Sequence, residues 1–138
     1  NTLAEALSEL KSARRMNGSS DYLAVMADCE RALGRPDRAL TMLRGVKTED
    51  LSPELRAELV IVEAGARRDR KEFDAALRVL ELAPLQSRAR APWVVRLRYA
   101  YADTLAAAGR TADAQEWFHR TAAIDQDEIT DALERINT

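Results

Sequence analysis

The sequence predicts an all-α chain: about three helix pairs stacked in register, with a flanking helix at each end. Glycine and proline are few, five and four in 138 residues, and they punctuate long stretches whose apolar residues recur at helical spacing. A turn-like run, Gly34-Arg-Pro-Asp-Arg-Ala-Leu, is echoed by Lys71-Glu-Phe-Asp-Ala-Ala-Leu and again by Gly109-Arg-Thr-Ala-Asp-Ala-Gln. In that register Ala39, Ala76 and Ala114 correspond at spacings of 37 and 38 residues, and twelve residues before each stands another alanine: Ala27, Ala64 and Ala102.

Helices cross closely where small side chains meet, so one matched alanine on each helix of a pair predicts an antiparallel hairpin. Four residues after the second alanine come Leu43, Leu80 and Phe118, one turn onward on the same face, where a large side chain fills the space beneath the crossing. A hairpin of about 35 residues cannot bury both its apolar faces alone, so its neighbours must stack on it.

Taken in order, Leu3, Leu7 and Leu10 mark a flanking helix over 1–17 that stops near Asn17-Gly18. Repeat one spans 20–53, repeat two 54–91 and repeat three 92–125, with Gly34 and Gly109 as turn residues, all within a single domain of 1–138. Longer links near 45–52 and 82–91 separate the repeats, and Pro53 and Pro92 open the next helices. A cap helix is expected over 126–138, carrying Ile129, Leu133 and Ile136 at helical spacing. Asp125 and Glu128 would form its capping box, and Asp127, Asp131 and Glu134 its polar outer face.

Composition narrows the function. Hydrophobic residues are 46% and charged residues 32% of the chain, which excludes a disordered tail, and no apolar run approaches the roughly 20 residues that span a membrane. A net charge of -2 gives no global pull toward nucleic acid or acidic lipid. Cys29 is the sole cysteine, so no intrachain disulfide can form, and a reducing, cytoplasmic interior is expected. Its place one turn after Met26 reads as a buried, inert helix contact. His119 is the sole histidine, so any Ser-His-Asp or Cys-His nucleophile would have to use it. With no glycine-rich phosphate loop and no metal-ligand spacing, the expectation is a non-enzyme that carries no metal and no cofactor. Asn1 stands first with no secretory pattern after it, which reads as a segment of a longer chain.

These positions resemble the tetratricopeptide repeat family, whose helix pairs carry a small residue on each helix, a turn residue between them and a large apolar residue near the end. The resemblance covers roughly residues 20 to 125. It departs from the family where an aromatic is replaced by Leu23, Val60 and Arg98, where Glu30 and Arg67 occupy an apolar slot that Leu105 fits, and in its longer period. The resemblance implies a right-handed α-α superhelix and a protein or peptide held on the concave face lined by the first helix of each pair.

Carried over by register, that face offers Asp21, Ala24, Asp28 and Arg31, then Glu58, Ile61, Gly65 and Arg68, then Arg96, Tyr99, Asp103 and Ala106. The partner-binding expectation centres on Asp28, Arg31, Arg68, Arg96, Tyr99 and Asp103, since tyrosine and arginine dominate interface energetics and arginine can fork onto carboxylates. The bland alternative is that Asp28, Arg31, Asp103 and Arg68 pair with one another and leave the face without a ligand. Ala24 and Asp28 stand where the subset of the family that clamps C-terminal carboxylates has lysine and asparagine, so no acidic chaperone tail is expected to bind. The rival function is RNA binding through Arg88, Arg90, Arg96 and Arg98 around Trp93, although the spacing of Trp93 with Leu97 and Tyr101 favours a core position. Nucleic acid is therefore the lesser expectation, and self-association through an exposed terminal face is a further one.

Overall fold

A computed structural model describes the backbone of residues 2–17 and 22–136 and the side chains of residues 2–13 and 22–136. Asn1, Gly18, Asp21 and the end of the expected cap helix lie outside the described residues. The described chain is all-α: α1 (Thr2–Asn17), α2 (Leu23–Ala32), α3 (Pro36–Leu43), α4 (Pro53–Asp69), α5 (Phe73–Glu81), α6 (Pro92–Ala107), α7 (Thr111–Ile124) and α8 (Ala132–Arg135). Proline opens α3, α4 and α6, where its missing N–H removes nothing the first turn could use. Ser52 adds a side-chain cap to α4, its Oγ accepting from Leu55 N at 3.1 Å. None of these helices is long and apolar enough to cross a membrane.

The chain forms two compact units, Asn1–Glu72 and Phe73–Thr138, so α4 and α5, the two helices of the second expected repeat, fall in different units. In the first unit α1 packs on α2, α2 on α3, and α4 on both α2 and α3. Its core joins Leu23, Ala27, Ala39, Leu40, Leu59, Val62 and Ala66, with Leu43 half-buried at the edge. In the second, α6 packs on α5 and α7, and α8 on α7, around Leu80, Leu97, Leu105 and Phe118. All six register alanines, Ala27, Ala39, Ala64, Ala76, Ala102 and Ala114, are at most 2% exposed.

The turns repeat with the alanines. Gly34 (φ 78°), Lys71 (φ 64°) and Gly109 (φ 82°) all adopt the left-handed conformation, 37 and 38 residues apart. After each, a backbone N–H reaches back five residues: Arg35 to the Glu30 carbonyl at 2.8 Å, Glu72 to Arg67 and Arg110 to Leu105, both at 2.9 Å. This is the Schellman closure, which satisfies carbonyls left over at a helix end and favours glycine because a side chain strains the backbone there.

Side chains clasp the first two turns. Glu30 is 1% exposed and pairs with Arg35 at 2.6 Å and with Lys11 of α1 at 3.8 Å. At the matching positions of the next turn the charges are exchanged, Arg67 donating to Glu72 at 3.3 Å. Glu30 and Arg67, the departures from an apolar slot, are therefore the anchors of these clasps, while Leu105 keeps the apolar form and is buried.

The cap helix needs correction. It runs only from Ala132 to Arg135, and Asp125 does not form a box with Glu128. The Asp125 carboxylate instead accepts from Ile129 N at 2.9 Å, Thr130 N at 2.9 Å and Thr130 Oγ1 at 2.6 Å, while Glu128 turns left-handed at φ 53°. Burial alone would raise the Asp125 carboxyl, but the Thr130 hydroxyl and the two N–H donors outweigh it and hold it below the ordinary aspartate value. This knot of bonds ties residues 125–130 into a turn and sets the direction in which α8 leaves it. Ala132 is buried, whereas Ile129 and Leu133, the expected inner face, are exposed.

Candidate functional site

In the first unit the expected partner-binding residues meet at the end of α2. The Arg31 guanidinium donates to both Asp69 oxygens, at 2.8 and 3.2 Å, and to Asp28 at 2.9 Å. Burial alone would lower its pKa, but Asp69 and then Asp28 outweigh burial and raise it. Room for this planar group comes from Gly65: a Cβ there would lie 2.4 Å from Arg31 Cζ. Arg31, expected to fork onto a partner's carboxylate, is thus already engaged by the chain's own. Asp28, Arg31, Ala32, Gly34, Pro36 and Asp69 line a cleft of about 520 Å³, in which two carboxylates meet one guanidinium and leave an excess negative charge. Ala24, also expected on this face, is buried in the core, and Arg68 is half-buried with interactions of its own.

In the second unit Tyr99 and Asp103 of α6 are met by α8. Arg135 Nη1 donates to Asp103 Oδ1 at 2.6 Å and to Tyr99 Oη at 3.2 Å, and its guanidinium stands 4.4 Å from the centre of the Phe118 ring. Tyr99 donates in turn to Asp131 and packs edge-on to Phe118 with ring centres 5.8 Å apart. Burial, and then the Asp131 bond, raise the Tyr99 phenol above its ordinary pKa against the opposing pull of Arg135. The Arg135 guanidinium is raised because Asp103 and Tyr99 outweigh the effect of burial. Asp103 pairs with Arg135, and the Asp28–Arg31 pair of the bland alternative is present. Arg96 is exposed and carries interactions of its own.

The arginines of the RNA alternative divide. Arg88 and Arg90 are exposed, but Arg98 turns inward and donates to the carbonyls of Leu85 at 2.8 Å, Ser87 at 3.3 Å and Arg120 at 3.3 Å. Burial, then the nearby Arg120, lower its pKa. Arg98 holds the 82–91 link to α6 and α7, satisfying the Leu85 and Ser87 carbonyls, which lie outside the helices, and reaching the Arg120 carbonyl of α7. Trp93 is half-buried, and Leu97 and Tyr101 are buried. Beside them Tyr101 donates to Glu81 at 2.7 Å and meets Trp117 edge-on at 5.0 Å, and Arg120 lies over the Trp117 ring at 4.6 Å.

His119 is exposed on α7. Cys29 is half-buried, and burial together with the negative charges of Asp28 and Glu30 pushes its thiol up, away from the reactive thiolate form. Among the described residues no three His, Cys, Asp or Glu side chains converge as metal ligands, and no buried side-chain polar atom lacks a hydrogen-bond partner. Sequence reasoning missed Asp69, Arg135 and Phe118 as members of these clusters. The spacing of Phe118 marks it only as a core plug, and nothing in the sequence links Arg135 to a carboxylate 32 residues earlier.

These features define an all-α chain of helix hairpins with two polar clusters on its first helices. No family model, curated protein or solved structure matches the chain.

Proposed function

We propose that this chain is a non-enzymatic, tetratricopeptide-like module that binds a protein or peptide through the first helix of each hairpin. The observation that supports this most is the Asp28–Arg31–Asp69 cleft: about 520 Å³, open, held by a hydrogen-bonded fork, and negative by one charge. Such a site suits a basic side chain of an extended partner segment, because Asp28 and Asp69 retain acceptor capacity that Arg31 leaves unfilled. Within the first unit the cleft is built on packed helices and its charges are already hydrogen-bonded, so little ordering is required there on binding. We place the activity in the cytoplasm, with no cofactor.

The test is capture with matched baits. Proteins retained by the native chain, resistant to nuclease and lost from Asp28→Asn with Asp69→Asn, support the reading. Retention on heparin that falls steeply with salt and disappears in Arg88→Ala with Arg90→Ala would replace it with RNA binding.

A further inference from the structure

The second cluster has the form of an occupied binding site. Asp103 supplies a carboxylate, Tyr99 a hydroxyl oxygen and Phe118 a ring face, and the three converge on one guanidinium. That guanidinium belongs to Arg135, on a helix of only four residues. Two further bonds hold the segment: Tyr99 donates to Asp131, and Gln115 Nε2 donates to the Arg135 carbonyl at 3.0 Å. Little else does. Ile129 and Leu133 face solvent, and Ile136, just after α8, is half-buried. A four-residue helix is far too short to be stable by itself, so its position depends on these contacts.

We propose that Tyr99, Asp103 and Phe118 form a socket for an arginine side chain, filled in this state by Arg135, so that α8 is a displaceable latch over part of the partner-binding helix α6. The partner it fits is a segment carrying an exposed arginine. Arginine is selected over lysine because a planar guanidinium can lie against the Phe118 ring while one of its nitrogens donates to both Asp103 and Tyr99, whereas an ammonium has no flat face to lay on the ring. In the register, Asp103 matches Asp28, and each receives a guanidinium from within the chain. Arg31 is fixed in the body of α2, whereas Arg135 sits on a piece that can leave. The latch rests on the reading of α6 as a partner-binding helix, but its test needs no natural partner.

The probe is a fluorescein-labelled peptide with the sequence of residues 129–136, Ile-Thr-Asp-Ala-Leu-Glu-Arg-Ile, titrated against the whole chain and followed by anisotropy. Arg135→Ala should open the socket and bind the peptide at least tenfold more tightly than the native chain. Replacing the arginine of the peptide by alanine should remove binding, and replacing it by lysine should weaken it severalfold. Adding Asp103→Asn to Arg135→Ala should remove binding while far-UV circular dichroism is unchanged. Arg135→Lys in the chain, which keeps the charge and the fold, should give an affinity between those of the native and Arg135→Ala proteins. Equal affinity of the native and Arg135→Ala chains, or binding that survives Asp103→Asn, overturns the socket. So does the absence of binding by Arg135→Ala. None of these results bears on the cleft around Asp28, which the bait experiment tests separately.

Discussion

Gly65 lies in the interior of α4, where alanine would ordinarily be preferred, and its replacement gives a quantitative test of the first cluster. A Cβ at this position would sit 2.4, 2.6 and 2.8 Å from Cζ and the two terminal nitrogens of Arg31, so the guanidinium would have to leave its fork on Asp69 and Asp28. Those side chains are partly exposed, at 26% for Arg31 and 35% for Asp69, so losing the fork costs about 1 to 2 kcal/mol. Removing a glycine from a helix interior stabilises by about 1 kcal/mol. In the native chain the two effects nearly cancel. In an Arg31→Ala background nothing obstructs the new methyl, and Gly65→Ala should stabilise by about 1 kcal/mol. Urea denaturation of the four proteins of this cycle, followed by far-UV circular dichroism, should return a coupling of about 1 to 2 kcal/mol. If Gly65→Ala has the same effect in both backgrounds, to within about 0.3 kcal/mol, the packing of Arg31 on Gly65 is not what fixes this residue.

Lys71 holds a left-handed conformation that its two register partners give to glycine, so Lys71→Gly should stabilise by about 1 kcal/mol and Lys71→Val should destabilise, as read by thermal melts. Ala114 is buried and Ala112 exposed; Ala114→Leu should cost about 1 to 3 kcal/mol and Ala112→Leu less than about 0.5 kcal/mol, and equal losses would undo the alanine register. Burial, and then the bond to Glu81, push the Tyr101 phenol up to about 12 from 10.0. The folded chain therefore holds this proton more tightly than the unfolded chain, so the contribution of Tyr101 to stability is complete below pH 10 and is lost as the pH rises from 10 to about 12. Tyr101→Phe should flatten that part of the pH profile of the melting temperature.

What could be read from the sequence was set by how local each interaction is. Ala39 with Leu43, or Gly34 with the turn it closes, lie within one or two helical turns, so period and residue size reveal them. The clasps were also within reach: Glu30 with Arg35 and Arg67 with Glu72 are opposite charges five residues apart, at slots already marked as anomalous. Arg98 was not, because its acceptors are main-chain carbonyls 11 to 22 residues away and carry no residue-type signal. The same holds for Arg135 and Asp103. Asp125 misled because a carboxylate that caps a helix and one that ties a turn have the same neighbours in sequence; the Thr130 hydroxyl decided between them.

The two ionic clasps also bear on how the chain is made. Each closes over only six residues, and loops of about ten residues close in about 10 to 100 ns. Synthesis, at about 5 to 20 residues per second, is slower by many orders of magnitude. Each corner is therefore sampled many times while the next residue is added, and because Glu30–Arg35 and Arg67–Glu72 have opposite polarity, an attempt by one corner to pair with the flanks of the other would bring like charges face to face. Early errors of topology are discouraged before the hydrophobic interior exists.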